Sequence, residues 1–151
     1  MASVIRAPEF SRPIDVPHSA DQDKTHAIAA SQAERIALAE RFGLVSLGRL
    51  DADVRLHRLG GGLVRLSAMF SADLMQMCVV TLEPFAASIE ERFTLLFGPG
   101  QEGREIVLDG EAETVEPLED DRIDIGEAVA QQLSLALDPY PRAPDAEEMI
   151  P

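Results

Sequence analysis

Polar and apolar residues alternate along two neighbouring stretches near the middle of the chain. From Leu50 to His57 every second residue is apolar and the residues between are charged, and a similar alternation returns from Val64 to Asp73. A period of two is typical of a strand with one buried face. Residues 59–62, a leucine followed by three glycines, predict a tight turn, so we expect the two strands to pair antiparallel.

Weaker patterns extend this sheet on both sides. The first strand continues back towards Leu44, which places Ser46 and Gly48 on its apolar face. Four further strands are predicted: 9–16, 74–82, 85–97 and 106–108. The polar residues 17–26 and the acidic stretch that ends at Asp121 predict loops.

Two helices are predicted from their capping residues. Ser31 and Glu34 have the spacing of a capping box, and Gly43 is suited to end the helix that follows. Asp124 and Glu127 have a similar spacing before an apolar stripe of helical period. The predicted fold class is therefore α+β: an antiparallel β-meander sheet, strongly curved or barrel-like, packed with two α-helices.

Length and composition set the domain organisation. A chain of 151 residues, 46% of them apolar, is expected to form one domain with a real core. We assign this domain to 9–141, with a flexible N-terminus over 1–8 and a disordered acidic tail over 142–151. No run approaches the length of a membrane span and the first eight residues lack a signal-peptide core, so we expect a cytoplasmic protein without membrane contact.

The charge is concentrated in the last third of the chain. The net charge is −14, but residues 1–100 hold 10 basic and 12 acidic residues, whereas residues 101–151 hold 3 and 15. An acidic segment repels nucleic-acid phosphates and suits a basic partner, such as a ribosomal protein, or serves solubility alone. Any RNA contact is therefore expected in the nearly neutral first 100 residues.

No catalytic, metal or cofactor site is predicted. Cys78 is the single cysteine, which rules out an internal disulfide or a four-cysteine zinc site, and the three histidines have no His or Cys at ligand spacing. The glycine turn lacks the Lys-Ser/Thr pair of a phosphate-binding loop. The acidic pairs of the chain are typical of solvated loops and strand faces.

One basic cluster remains as a candidate contact surface. Pairing of the two central strands would bring most of five residues to one exposed face: Arg49, Arg55, His57, Arg58 and Arg65. Asp51 and Asp53 would partly neutralise this cluster. It is either an ordinary charged sheet face or a contact for phosphate or an acidic partner.

Five stretches of the chain follow one another in a characteristic order, namely 9–14, 31–42, 78–85, 116–118 and 123–141. Together they resemble the YceD family, the large ribosomal RNA subunit accumulation proteins. The stretch 78–85 resembles the central motif of the family, 116–118 its Glu-Pro-apolar step, and 123–141 its last helix and exit, while 9–14 and 31–42 fall in matching order. The motif positions in this chain are Cys78, Pro84, Phe85, Glu116, Pro117, Asp124 and Glu127. Thr81 stands where the family motif has a second cysteine, and no cysteine pair follows the last helix, so no metal role is carried over.

The resemblance implies a non-enzymatic role in the accumulation or processing of large-subunit ribosomal RNA during ribosome assembly. The implied partners are the large-subunit rRNA precursor, a basic ribosomal protein, or both. Two alternatives from other classes stay open. One is a small hydrolase or metal-dependent enzyme with a scattered site, and the other is a dimeric scaffold, a homo-oligomer joined through an exposed strand edge.

Overall fold

Eight strands and two helices follow one another along the part of the chain that the structure describes. The structure, a computed structural model, describes residues 9–18, 22–100, 103–108, 110–118 and 120–144. The strands are β1 (Pro13–Asp15), β2 (Asp23–Ala29), β3 (Ser46–Arg58), β4 (Val64–Met77), β5 (Pro84–Gly98), β6 (Arg104–Leu108), β7 (Glu111–Pro117) and β8 (Arg122–Asp124). The helices are α1 (Gln32–Phe42) and α2 (Ile125–Ala136), and Gly60–Gly62 form the 3-10 turn between β3 and β4.

A six-stranded sheet is the centre of the fold. Its strand order is β2-β3-β4-β5-β7-β6, and every neighbouring pair is antiparallel except β5 and β7, which pair in parallel over three residues. The short strands β1 and β8 form a separate antiparallel pair. The α+β prediction is confirmed, and the sheet is open rather than closed into a barrel.

The core lies between one face of this sheet and the two helices. Alternate residues of β3 and β4, from Leu50 to Leu56 and from Val64 to Leu74, are buried there. They form one cluster with Leu38 of α1 and Leu133 of α2. Burial of this apolar surface is the main stabilising contribution.

Both predicted helix starts are confirmed. The Ser31 hydroxyl accepts a hydrogen bond from the backbone N–H of Glu34, whose carboxylate accepts in return from the backbone N–H of Ser31. Gly43 ends α1 at φ 68°, in the left-handed region that glycine enters at little cost. The Asp124 carboxylate caps α2 by accepting from the N–H of Glu127.

A β-bulge changes which residues of β3 face the core. Leu47 is opposite Leu74 and Arg49 is opposite Asp73, so Gly48 is an extra residue between them. Leu47 is consequently buried, whereas Ser46 and Gly48 are exposed. The prediction that Ser46 and Gly48 share the apolar face is wrong because the alternation shifts by one residue at the bulge.

Several predicted boundaries are also wrong. No separate strand covers 74–82, because β4 runs on to Met77 and the chain turns over 78–83. The predicted loop 17–26 contains the first half of β2, and the predicted acidic loop before Asp121 contains β7. Of the strand predicted for 9–16, only Pro13–Asp15 pairs. The N-terminus 1–8 and most of the acidic tail, 145–151, lie outside the described residues.

Candidate functional site

Four of the five predicted contact residues share one face of the sheet. Arg49, Arg55 and His57 of β3 and Arg65 of β4 alternate with buried residues, so they lie on the face opposite the helices, here called the outer face. Arg58 is in phase with the buried residues of β3, so it does not belong to the outer face. Its guanidinium donates to the carbonyl oxygen of Pro17 at 3.1 Å. The outer face therefore includes four members of the predicted cluster and not the fifth.

Arg49 is held between two carboxylates of the same face. Its Nη1 lies 2.5 Å from Asp51 and its Nε lies 2.9 Å from Asp73, while the hydroxyl of Ser71 accepts a further bond at 2.7 Å. Hydrogen bonding to Asp73, followed by Asp51, raises the pKa of Arg49 above its usual value. The same bond to Arg49 lowers the pKa of Asp73. Three charges of the outer face thus form one local network.

Asp23 of β2 binds two of the other predicted residues. Its carboxylate accepts from the guanidinium of Arg55 and is hydrogen-bonded to Nδ1 of His57. These bonds, from His57 first and Arg55 second, lower the pKa of Asp23. Arg65 lies 3.5 Å from the carboxylate of Glu113 on β7. Every arginine of the predicted cluster on the outer face therefore has an acidic partner.

The outer face also includes carboxylates that have no partner among the described residues. Asp53 of β3 and Glu90 of β5 have no hydrogen-bond or ion-pair partner among the described residues. They line a shallow cavity of about 360 Å³, whose floor is formed by small side chains such as Ala27 and Ser71. Arg92 of β5 is also without an acidic partner in the described part of the chain.

The first family-motif positions form the turn between β4 and β5. The side chain of Cys78 is fully buried, and its sulfur accepts from the backbone N–H of Thr81 at 3.5 Å and of Ala143 at 3.4 Å. Hydrogen bonding by Thr81, followed by the N–H of Ala143, lowers the pKa of the Cys78 thiol to about 7. Pro84 and Phe85 begin β5 directly after this turn. These hydrogen bonds connect the segment that follows α2 to the turn. The same segment covers the thiol, so it would have to move away before the thiol could react.

The later motif positions hold elements together. Asp124 accepts from the hydroxyl of Ser11 at 2.6 Å and from the N–H of Arg12 at 2.7 Å, in addition to capping α2. Glu127 pairs with Arg41 of α1 at 3.0 Å. Glu116 and Pro117 end β7, where this strand pairs with the end of β5. Asp124 and Glu127 thus have structural partners within the chain.

Sequence reasoning identified Asp51, a partner of Arg49, but missed the acidic partners of Arg55 and Arg65. Asp23 lies in the predicted loop 17–26 and Glu113 in the predicted acidic loop that ends at Asp121, although both residues belong to strands. Neither acidic residue has a local pattern that indicates pairing with an arginine 32 or 48 positions away. The capping spacing did identify Asp124, although not its bonds to the N-terminal segment.

Neither a metal-binding cluster nor a membrane-spanning helix occurs among the described residues. No group of three or more His, Cys, Asp or Glu side chains within them is arranged to hold a metal ion. None of their helices is long and apolar enough to cross a membrane.

Comparison with known proteins assigns the chain to a family. No curated protein and no solved structure matches it. The family described as large ribosomal RNA subunit accumulation protein YceD matches residues 66–151, which is more than half of the chain and includes β4, β5 and α2. The chain therefore belongs to the YceD family.

Proposed function

We propose that this protein is a non-enzymatic, cytoplasmic factor that supports the accumulation of large-subunit ribosomal RNA by binding a basic ribosomal protein. The role in accumulation follows the family to which the chain belongs. The choice of a basic protein, rather than RNA, as the direct partner follows from the charges of the chain.

The engagement of the arginines supports this choice. Arg49, Arg55 and Arg65 already contact carboxylates of the same molecule. A phosphate could bind them only by displacing or opposing these acidic groups, and phosphate contacts supply most of the affinity of proteins for nucleic acids. By contrast, the free carboxylates of Asp53 and Glu90 are available to lysine or arginine side chains of a partner.

Affinity capture from cell lysate tests the proposal. We expect the tagged protein to retain a basic large-subunit ribosomal protein at low salt, to lose it at high salt, and to retain it after ribonuclease treatment. Retention of neither a ribosomal protein nor rRNA at low salt would contradict a role in assembly.

Charge reversals separate the protein mode from the RNA mode. Arg55→Glu with Arg65→Glu should leave any rRNA association unchanged, since these arginines are already paired. Arg92→Glu is the cleaner variant, because it reverses a charge of the outer face without breaking an ion pair of the described residues. If rRNA association is lost in Arg92→Glu and returns at low salt, RNA contacts the outer face directly and the protein mode is wrong.

A further inference from the structure

We propose that a groove between α2 and β5 binds an amphipathic, basic segment of the ribosomal protein partner. This inference rests on the proposed function and adds a second contact surface for the same partner, besides the carboxylates of the outer face. The groove lies on the helix side of the sheet, away from the outer face.

Alternate residues of β5 form the floor of this groove. Phe93, Leu95 and Phe97 point to the helix side of the sheet and are only half buried, because α2 covers them from one side. Two cavities, of about 450 Å³ and about 190 Å³, follow this stripe, and Gln132 and Leu135 of α2 line both. We call this continuous surface the α2–β5 groove.

The α2–β5 groove offers apolar surface that the fold leaves uncovered. Leu135 is 76% exposed on the helix wall, opposite the half-buried aromatic rings of the floor. Burial of such surface favours association, and well-packed anchors at the centre of an interface carry most of its affinity. An incoming segment must therefore present apolar side chains along one side.

The charges of the α2–β5 groove determine which charged side chains the segment must carry on its other side. Glu91 lies at one end and Glu116 at the other, and neither has a partner among the described residues. Arg92 also lines the Glu91 end, but it alternates with Phe93 and therefore belongs to the outer face. Arg122, which lines the Glu116 end, is paired with Asp15. Lysine or arginine side chains would complement these free carboxylates, whereas RNA would meet repulsion and a second copy of this chain carries the same net negative charge.

The length of the groove limits the segment. Six residue steps separate Glu91 from Phe97, which corresponds to roughly 20 Å along a strand. A helix of about 13 residues spans the same distance. The fitting partner is therefore one short helix or a shorter extended segment, with apolar side chains towards the floor and basic side chains towards Glu91 and Glu116.

Site-specific photo-cross-linking in cells tests the location. A photoreactive phenylalanine analogue replaces Leu135 in one variant and Ile36 in the other. Ile36 of α1 is a matched control, because it is a similarly large apolar side chain, 62% exposed, that does not line the α2–β5 groove. We expect an adduct from position 135 with a basic large-subunit ribosomal protein, at a peptide in which apolar and basic residues alternate with helical or strand period, and none from position 36. An adduct with rRNA, with a second copy, or with another part of the same chain would overturn the proposal, as would equal adducts from both positions.

Affinity capture then separates the groove from the proposed function. Leu135→Asp and Glu116→Lys should each reduce retention of the ribosomal protein by about tenfold, while the control variants Ile36→Asp and Glu40→Lys should not. If Leu135→Asp and Glu116→Lys retain the protein as wild type does, the groove is not the binding surface although the proposed function stands. If wild type retains no basic ribosomal protein at all, both proposals fail.

Discussion

At the scale of single residues, one carboxylate joins α2 to the N-terminal segment. Asp124 caps α2 and also accepts hydrogen bonds from Ser11 and Arg12 of the N-terminal segment. Removal of an N-cap costs about 0.5–2 kcal/mol, and a partly buried N–H left without its acceptor costs about 1–3 kcal/mol. This motif position is therefore explained by stability without any ligand.

We expect Asp124→Ala to lower the free energy of unfolding by about 2–4 kcal/mol. Chemical denaturation followed by circular dichroism measures the change. Asp53→Ala is the matched control, since the exposed Asp53 has no partner among the described residues and its loss should change stability by about 0.5 kcal/mol or less. Equal effects of the two substitutions would contradict a structural role for Asp124.

Gly126 is required by a close approach of two backbones. A Cβ atom at this position would lie 2.6 Å from the carbonyl oxygen of Phe10 and 3.1 Å from the backbone nitrogen of Arg12. Alanine favours a helix over glycine by about 1 kcal/mol, so helix propensity alone predicts that Gly126→Ala is stabilising. The rigid backbone neighbours reverse this expectation.

We expect Gly126→Ala to destabilise the fold by about 1–3 kcal/mol, the usual cost of overpacking. Gly60→Ala serves as the control, because a Cβ at Gly60 meets nothing within 4 Å and the residue has no positive φ. Thermal unfolding of the two variants and wild type provides the comparison. A gain in stability for Gly126→Ala would show that the N-terminal segment does not pack against α2 in this way.

At the scale of elements, an ion pair joins the N-terminal segment to α1. The guanidinium of Arg12 donates to both carboxylate oxygens of Glu34 at 2.7 Å. This hydrogen bonding is the largest cause that lowers the pKa of Glu34 from its ordinary value of 4.5 to about 2. A carboxyl group with a depressed pKa stabilises the folded state above its unfolded pKa, and this contribution is lost as the pH falls.

We therefore expect the stability difference between wild type and Glu34→Gln to be constant above about pH 5.5 and to shrink as the pH falls from 4.5 to about 2. Urea denaturation at a series of pH values measures this difference. In an Arg12→Ala background the same substitution should lose most of its pH dependence, because the main cause of the shift is absent. A difference that stays constant down to pH 2 in the wild-type background would contradict the pairing.

The elements that could be predicted from sequence are those with local signals. Ser31 and Gly43 define the ends of α1 through their own capping chemistry, and strict alternation identifies β3 and β4. The strands β2 and β7 were missed because both are rich in polar residues and are defined by their pairing, β2 with β3 beyond α1, and β7 with the adjacent β6 and with β5. The bulge at Gly48 was missed for the same reason, since only the partner strand defines it.

The same limit applies to the site. Alternation correctly placed Arg49, Arg55, His57 and Arg65 on one face, because strand geometry alone decides this. Arg49 is neutralised by Asp51 and Asp73 of the same two strands. The partners of Arg55 and Arg65 are Asp23 and Glu113, which the topology brings in from strands that sequence reasoning did not find. The cluster that is basic in the sequence therefore has its arginine charges neutralised by acidic partners in the fold.

At the scale of the whole molecule, the net charge of −14 opposes self-association. The sheet nevertheless has β2 and β6 at its two edges, and β6 presents Val107, which is 73% exposed. An open, partly apolar edge is the kind of surface through which two copies would pair. Net charge and local edge chemistry thus make opposite predictions about the oligomeric state.

We expect the net charge to prevent self-association. Sedimentation velocity should then give the sedimentation coefficient of a 16.4 kDa monomer over a wide range of protein concentration at low and moderate salt. Each copy brings the same acidic last third to the contact, and one short strand of five residues gains too little from pairing to offset this repulsion. Val107→Lys tests the edge itself, since it adds a charge that blocks strand pairing without touching the buried core. A dimer in wild type that becomes a monomer in Val107→Lys would show that β6 is a self-association edge and would favour the scaffold alternative, whereas a dimer in both proteins would place the contact elsewhere.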